Sequence, residues 1–242
     1  MKCNLTFFAL LLGVSGHTLG QCDLPVQQLG AVYRITEQRL ATGQTGESQL
    51  RLWRRGGQVA YEFPGVGIAE IWSRAPTRGM YLARYFDEHS RAIEYQPGEL
   101  HYAHPATAWQ DKQQLVASAE LASMTPVSSG GSGCQVRESY AGKPGARIVA
   151  LTWLPRLRLP AYMKIATAGG VQEWQLLETV RSTGRIDEVF TSREHYAATD
   201  YADIGDNESD PFLMSMIRLG FIEHGSHGFY DEEGHALESA SH

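Results

Sequence analysis

The chain has 242 residues with 21 Lys or Arg against 27 Asp or Glu, which gives a formal net charge of −6. Because contacts to phosphate groups need clustered Lys and Arg side chains, this balance argues against a nucleic-acid partner. Lysine occurs only four times, so the chain also lacks a polybasic patch for an anionic membrane surface.

The N-terminal segment has the three-part layout of a secretory signal. Lys2 supplies the positive start, residues 5–14 form an apolar run, and residues 18–20 offer small side chains where a signal peptidase cuts. The run is too short to span a bilayer as a helix, and no second apolar stretch approaches that length. The sequence therefore predicts a signal peptide over residues 1–20 and a protein that is periplasmic or secreted.

Two cysteines remain after the signal is removed. In an oxidising compartment, Cys22 and Cys134 are expected to pair, which joins the start of the mature chain to its middle. An alternative stays open, because residues 19–22 resemble a bacterial lipobox, which would make Cys22 a lipid-anchored first residue and leave Cys134 free. Gln21 is larger than the small residue expected before a lipobox cysteine, so the disulfide is favoured.

Short strands separated by turns are predicted between residues 31 and 97. Alternation puts Val59, Tyr61 and Phe63 on one face of a strand over residues 59–63. The other strands of this half are predicted at residues 50–53, 68–72, 80–86 and 92–95. Because short turns join them, the pattern indicates an antiparallel meander rather than βαβ units.

The second half of the chain begins with a helix predicted over residues 108–124, where Leu115, Ala119 and Ala122 recur at helical spacing. Residues 128–133 are rich in Ser and Gly and are expected to form a flexible break. Strands are predicted beyond it at residues 135–140, 146–153, 161–168 and 171–180. Neither half offers a self-contained core, so we expect one continuous sheet in a single domain over residues 21–230.

A short helix is predicted near the C-terminus. Asp210 and Pro211 form an N-cap followed by proline at the first helical position. Apolar residues follow over residues 212–219, and Gly220 is the expected stop. We expect this helix to cover the sheet and residues 231–242 to form a flexible tail.

The order of these elements resembles the LolA/LolB/RseB superfamily of bacterial envelope proteins. Residues 50–55, the hairpin around residues 85–87, and residues 153–155 leading into residues 159–163 are similar to stretches of that superfamily. The resemblance covers most of residues 25–220. It implies an α+β fold in which a strongly curved antiparallel sheet forms an incomplete barrel, lidded by helices, whose apolar interior holds acyl chains or peptide.

A curved sheet closed by helices encloses an apolar volume, which suits a lipid-like ligand. Large aromatic side chains on the predicted strands are candidates for lining it: Trp53, Trp72, Tyr85, Phe86, Trp153, Tyr162 and Trp174. The alternative is that these side chains fill a packed core, as aromatic residues usually do. Periodicity alone does not separate a hollow interior from a packed one.

The densest polar segment covers residues 200–210 and contains five acidic side chains. Hard cations such as calcium bind oxygens from a flexible loop, and His side chains suit zinc. A metal site is therefore the alternative hypothesis, with Asp203, Asp206, Glu208, His224 and His227 as its ligands. The spacing does not match an EF-hand loop. The simpler interpretation is that the acids favour a helix start and that the histidines belong to a solvated tail.

Tests for catalytic signatures fail. Ser132 lacks the second glycine of a nucleophile elbow, because Cys134 stands two residues after it. Residues 65–70 do not complete a G-x-G-x-x-G motif, because residue 70 is Glu. The function predicted is therefore a non-enzymatic periplasmic carrier or binding protein for an apolar ligand or an envelope protein, with no resident cofactor. A metal-binding envelope accessory factor is the second hypothesis.

Overall fold

One large sheet dominates the fold. The computed structural model describes residues 26–77, 79–102, 106–207, 209–222, 229–230 and 236–237. The strands of these residues are β1 (Gln28–Arg39), β2 (Thr45–Arg55), β3 (Gln58–Phe63), β4 (Ile68–Arg74), β5 (Met80–Phe86), β6 (Arg91–Tyr95), β7 (Thr125–Gly130), β8 (Arg137–Ala141), β9 (Ile148–Leu154), β10 (Leu159–Ala166), β11 (Gly170–Val180), β12 (Ala197–Asp200), β13 (Phe229–Tyr230) and β14 (Ala236–Leu237).

The helices of the described residues are short. They are α1 (Ala108–Gln114), α2 (Ser118–Ser123), α3 (Thr183–Thr191) and α4 (Pro211–Arg218), with single 3₁₀ segments at Asp87–His89, Gly133–Gln135 and Tyr201–Asn207. Within this part of the chain, none of them combines the length and the apolar character that crossing a membrane requires.

Twelve strands belong to the large sheet, in the order β12-β6-β5-β4-β3-β2-β1-β11-β10-β9-β8-β7. All neighbours pair antiparallel except β12, which lies parallel to β6. The sheet is curved. It is also open, because its edge strands β7 and β12 do not pair with each other. The predicted α+β class therefore holds only coarsely, since the described chain is mostly sheet with a few helices.

The predicted meander is confirmed. Each strand from β2 to β6 pairs antiparallel with the next, through short turns. Gly56 and Gly67 lie in two of these turns with φ of 54° and 62°, in the left-handed region that glycine enters without a steric penalty. Strands β8 to β11 continue the same sheet beyond the Ser- and Gly-rich residues, as expected for one continuous layer.

The sheet buries side chains on both faces. The inner face, as we name it, carries the larger core, to which Val59, Tyr61 and Phe63 contribute as their alternation predicted. Helix α4 adds Leu213 and Met216 to this core, and the α1–α2 region packs against the same face. The outer face carries a smaller core, where α3 covers the other side of β2 to β4 and β11.

The predicted helix over residues 108–124 is wrong in one respect, because it is broken into α1 and α2. Leu115 has a φ of 63°, which ends α1. The Gln114 amide donates to Val116 O and Ser118 Oγ at 2.9 Å, while Asp111 Oδ1 accepts from the Ser118 backbone N–H at 2.8 Å. These side-chain bonds satisfy backbone and hydroxyl groups at the break between α1 and α2.

Helix α4 begins and ends as predicted. Asp210 is its N-cap, with Oδ1 accepting from the backbone N–H of Phe212 at 2.9 Å, and Pro211 is its first residue. Gly220 follows the helix with a φ of 75°. The helix buries Leu213 and Met216 and so covers part of the inner face.

Three elements differ from the sequence expectations. Helix α3 was not predicted, although Ser182 caps it and its buried residues Ile186, Val189 and Phe190 recur at helical spacing. Residues 125–130, partly assigned to a flexible break, form the edge strand β7. Strand β12 was also missed, because its alanines and polar residues give no apolar alternation.

Candidate functional site

The predicted cavity-lining residues are divided between the two faces of the sheet. Four of them belong to the inner core: Trp72, Phe86, Trp153 and Trp174. Trp53 is buried in the outer core, and Tyr85 is half-buried against it. Tyr162 is half-buried on β10, where it alternates with the inner-core residue Met163. The sheet therefore does not bring all seven to one surface, and their role in ligand binding stays a prediction.

The inner core contains charged side chains as well as aromatic ones. Glu70 and Arg84, each 2% exposed, form an ion pair with Arg84 Nη2 2.7 Å from Glu70 Oε1. Trp72 Nε1 donates to the other carboxylate oxygen of Glu70 at 3.2 Å, and Arg84 also donates to the carbonyl of Phe221, just beyond α4. The carboxylate thus has partners at both oxygens, which a buried charge requires.

Lys112 of α1 faces this cluster. Its Nζ lies 3.8 Å from the centroid of the Trp72 ring and 5.9 Å from that of Tyr61. Burial lowers the pKa of Lys112 to about 8, although the charge of Glu70 opposes the shift. A cation over an indole face is a favourable arrangement, which offsets part of the cost of burying the Lys112 ammonium.

Arg54 of β2 attaches the same helix from another direction. This side chain is 1% exposed, and its guanidinium donates to the carbonyls of Leu157 at 2.8 Å and Arg158 at 2.9 Å. It also donates to the carbonyl of Gln113, at the end of α1, where helix carbonyls lack partners within the helix. Burial lowers the pKa of Arg54 to about 10. Arg54 therefore joins α1 to the β9–β10 turn.

A cleft of about 790 Å³ opens where α1 begins, and we name it the α1 cleft. It lies between the β4–β5 turn, the segment after β6 and the first turn of α1. Its lining residues are Arg74, Ala75, Thr77, Gly79, Met80, Pro97, Leu100, Tyr102, Ala106, Ala108 and Trp109. Because Met80 and Leu100 belong to the inner core, the floor of the cleft is continuous with that core.

The walls of the α1 cleft are held by specific contacts. Gly79 has a φ of 87°, and a Cβ atom there would lie 3.0 Å from the Cβ of Pro97, so the two segments approach closely. Tyr102 donates from its hydroxyl to Met80 O at 3.4 Å. Arg74 is exposed at the rim and is the charged side chain among the described residues of the lining. The cleft can therefore present an apolar floor and a cationic edge.

The sequence did not identify this cleft. Its floor residues Met80 and Leu100 look like ordinary strand and loop residues, and Trp109 lies in the first turn of a predicted helix. Pro97, Trp109 and other bulky side chains are concentrated in the segment that leads into α1. This concentration indicates a cleft only once the sheet has placed the β4–β5 turn beside that segment.

The predicted metal ligands lie partly outside the described residues. Asp203 and Asp206 are exposed on the 3₁₀ segment Tyr201–Asn207. Glu208, His224 and His227 fall outside the part of the chain that the structure describes. In the described part, no group of three or more His, Cys, Asp or Glu side chains is placed to hold a metal ion. Calcium or zinc binding stays a prediction.

The predicted disulfide also involves a residue outside the described part of the chain. Cys22 and the predicted signal peptide over residues 1–20 lie outside the described residues. Cys134 lies in the 3₁₀ segment Gly133–Gln135. Most of the predicted tail over residues 231–242 is also outside the described residues, although Ala236–Leu237 within it pairs with Phe229–Tyr230.

Solved structures of three proteins are similar to this chain, each at 9% sequence identity. A DUF1329 family protein from Desulfovibrio piger ATCC 29098 has a TM-score of 0.35, over 70% of this chain and 90% of that one. A "putative outer membrane lipoprotein-sorting protein domain" from Vibrio parahaemolyticus has a TM-score of 0.35, over 71% and 92%. An uncharacterized conserved protein from Thermus thermophilus has a TM-score of 0.32, over 72% and 91%.

At these TM-scores the LolA/LolB/RseB-like architecture expected from the sequence stays a prediction. No protein-family model and no curated protein matches the chain.

Proposed function

We propose that this protein is a non-enzymatic binding or carrier protein and that the α1 cleft takes an apolar, lipid-like ligand. The observation that carries the proposal is a cleft of about 790 Å³ whose floor is part of the inner core. Sites for small ligands typically have volumes of roughly 300–1,000 Å³ and are lined mostly by apolar side chains. Met80, Leu100 and Trp109 supply such a lining.

The charge at the rim refines the ligand class. Arg74 is the charged side chain among the lining residues that the structure describes, so an amphiphile with an anionic head group and an alkyl chain fits the cleft. Such a ligand places its chain over Met80 and Leu100 and its head group near Arg74. The signal-like N-terminus supports a periplasmic or secreted location for this activity, with an envelope protein as the partner that receives or delivers the ligand.

The test is a fluorescence titration with phenylnaphthylamine, an apolar dye, followed by competition with palmitate. Ala106 is an exposed lining residue, and Ala106→Trp fills the cleft with an indole ring. Ala168→Trp is the matched control, because Ala168 is exposed in the β10–β11 turn at the opposite end of the sheet. Both variants retain the core, so their far-UV circular dichroism should match that of the parent protein.

We expect the parent protein and Ala168→Trp to bind the dye with equal affinity and to release it to palmitate. Ala106→Trp is expected to raise the Kd for the dye about tenfold, because the added ring covers most of the apolar floor of the cleft. Equal dye binding by the two variants, or no fluorescence gain in the parent protein, would refute the proposal.

A further inference from the structure

A second cavity lies on the outer face, on the other side of the sheet from the α1 cleft. Three alternate residues of β5, namely Tyr81, Ala83 and Tyr85, point to this face, and the small Ala83 leaves a depression between two tyrosine rings. Ala83 pairs with Ile71 of β4 on one side and with Glu94 of β6 on the other. The cavity has a volume of about 430 Å³. We name it the tyrosine trough.

Two carboxylates flank the tyrosine trough. Glu94 on β6 and Glu194 after α3 both line it and are both exposed. Neither forms an ion pair with any of the residues that the structure describes. Burial raises the pKa of Tyr85, the charges of Glu94 and Glu194 raise it further and that of Arg193 opposes them, which agrees with both carboxylates and Arg193 lying near its hydroxyl.

The neighbouring cations are already engaged. Arg55 lines the trough, but its guanidinium lies 4.5 Å from the centroid of the Phe190 ring and donates to Gln58 Oε1 at 2.7 Å. Arg193 binds Asp87 and Glu62 at 2.7 Å and 3.0 Å. The trough therefore keeps an unbalanced negative charge beside an aromatic and aliphatic surface.

We propose that the tyrosine trough binds a linear aliphatic polyamine. Its ammonium groups pair with Glu94 and Glu194, and its methylene chain lies over Ala83 and Ile71 between the rings of Tyr81 and Tyr85. Carboxylates form charge-assisted hydrogen bonds with ammonium groups, and tyrosine faces attract cations. The Cα atoms of residues four apart in a strand are separated by roughly 13 Å, which leaves space for an extended chain.

Other ligand classes fit this surface less well. A neutral apolar ligand would cover the two carboxylates without pairing them, at a desolvation cost. A hard metal ion needs more oxygen ligands than two carboxylates between aromatic walls supply. An anion would be repelled by Glu94 and Glu194. The inference is independent of the proposed function, because none of these residues lines the α1 cleft.

Spermidine is the probe for this site, and its binding is measured by calorimetry and by amide chemical shifts at low ionic strength. The test variant is the double substitution Glu94→Gln and Glu194→Gln, which keeps side-chain size. The matched control combines Glu188→Gln with Glu178→Gln, two exposed acids that do not line the trough and whose removal changes the net charge equally. n-Hexylamine serves as the single-charge ligand.

We expect spermidine to shift the amides of Ala83 and Glu94 and to bind more tightly than n-hexylamine. The Glu94/Glu194 variant is expected to weaken spermidine binding at least about tenfold, while the Glu188/Glu178 control stays within about twofold of the parent protein. Equal weakening in both variants would show attraction by net charge alone and would overturn the proposal. So would the absence of binding by the parent protein, whatever the α1 cleft does with the dye.

Discussion

Arg84 and Glu70 form an ion pair inside the core, with Arg84 Nη2 2.7 Å from Glu70 Oε1 and each residue only 2% exposed. The pair lies on the inner face beneath Lys112, and Arg84 also reaches the carbonyl of Phe221 beyond α4. Glu70 is therefore the carboxylate that balances the cations at the centre of the inner core.

Removing the Glu70 carboxylate should lower the free energy of unfolding. Glu70→Ala leaves Arg84 buried without its partner and also removes the favourable charge beside Lys112, so we expect a loss of about 3–5 kcal/mol in the free energy of unfolding. Urea unfolding measures it. Glu173→Ala is the control, because it breaks an exposed ion pair with Lys164 and should leave the free energy of unfolding nearly unchanged. Similar losses in the two variants would contradict the role assigned to Glu70.

The stability of the protein should rise between about pH 8 and pH 10. Burial lowers the pKa of Lys112 to about 8 from a reference of 10.5. In this window the folded protein has released the Lys112 proton while the unfolded chain still binds it, so raising the pH favours the folded state. Below pH 8 both states are protonated, and the folded state carries the full cost of the buried charge.

Lys112→Met should remove this pH dependence. Because contacts with the aromatic rings offset part of the cost of burying the ammonium, we expect the variant to be more stable than the parent protein by about 1–2 kcal/mol near pH 7. The difference should shrink towards pH 10. Urea midpoints measured at several pH values test this, and a constant difference across the range would show that Lys112 does not titrate as described.

The Arg54 guanidinium should protect α1 from local unfolding. Arg54→Met removes the donors that bind Gln113 O, Leu157 O and Arg158 O, so we expect a loss of about 3 kcal/mol, since hydrogen bonds from charged groups contribute more than neutral ones. Hydrogen exchange should accelerate at the Leu115 amide, which donates to Asp111 O at 3.2 Å.

Arg51 provides the matched control for Arg54. It lies on the same strand and bonds through Nε to Gln49 Oε1 at 3.0 Å, without reaching α1. Arg51→Met should therefore leave exchange at the Leu115 amide unchanged. If both variants accelerated that exchange equally, the attachment of α1 would not depend on the Arg54 guanidinium.

Gly79→Ala should affect both stability and ligand binding. A φ of 87° is strained for alanine, and the new Cβ would lie 3.0 Å from the Cβ of Pro97, so we expect a cost of about 1–2 kcal/mol and weaker dye binding in the α1 cleft. Gly98→Ala is the neighbouring control, because its Cβ meets no atom within 4 Å. Thermal unfolding and the phenylnaphthylamine titration measure the two effects.

Local patterns in the sequence determined most of the sheet. Alternation at Val59, Tyr61 and Phe63, with glycines in the turns, predicted the meander because neighbouring strands joined by short turns pair with each other. The Asp210–Pro211 cap likewise predicted α4 from local backbone chemistry. The break between α1 and α2 was missed, because the bonds from Gln114 and Asp111 that hold it do not interrupt the helical spacing of apolar residues.

The tertiary structure decided which face of the sheet each strand residue occupies and which side chains it contacts there. Tyr33 donates to the carbonyl of Pro160, 127 residues away, because β1 lies in the middle of the sheet and β11 brings the second half of the chain beside it. The burial of Glu70 and Arg84, the α1 cleft and the tyrosine trough all depend on such long-range pairing and on the curvature of the sheet. No pattern within a short stretch of sequence encodes them, since each is formed by residues that are neighbours only after folding.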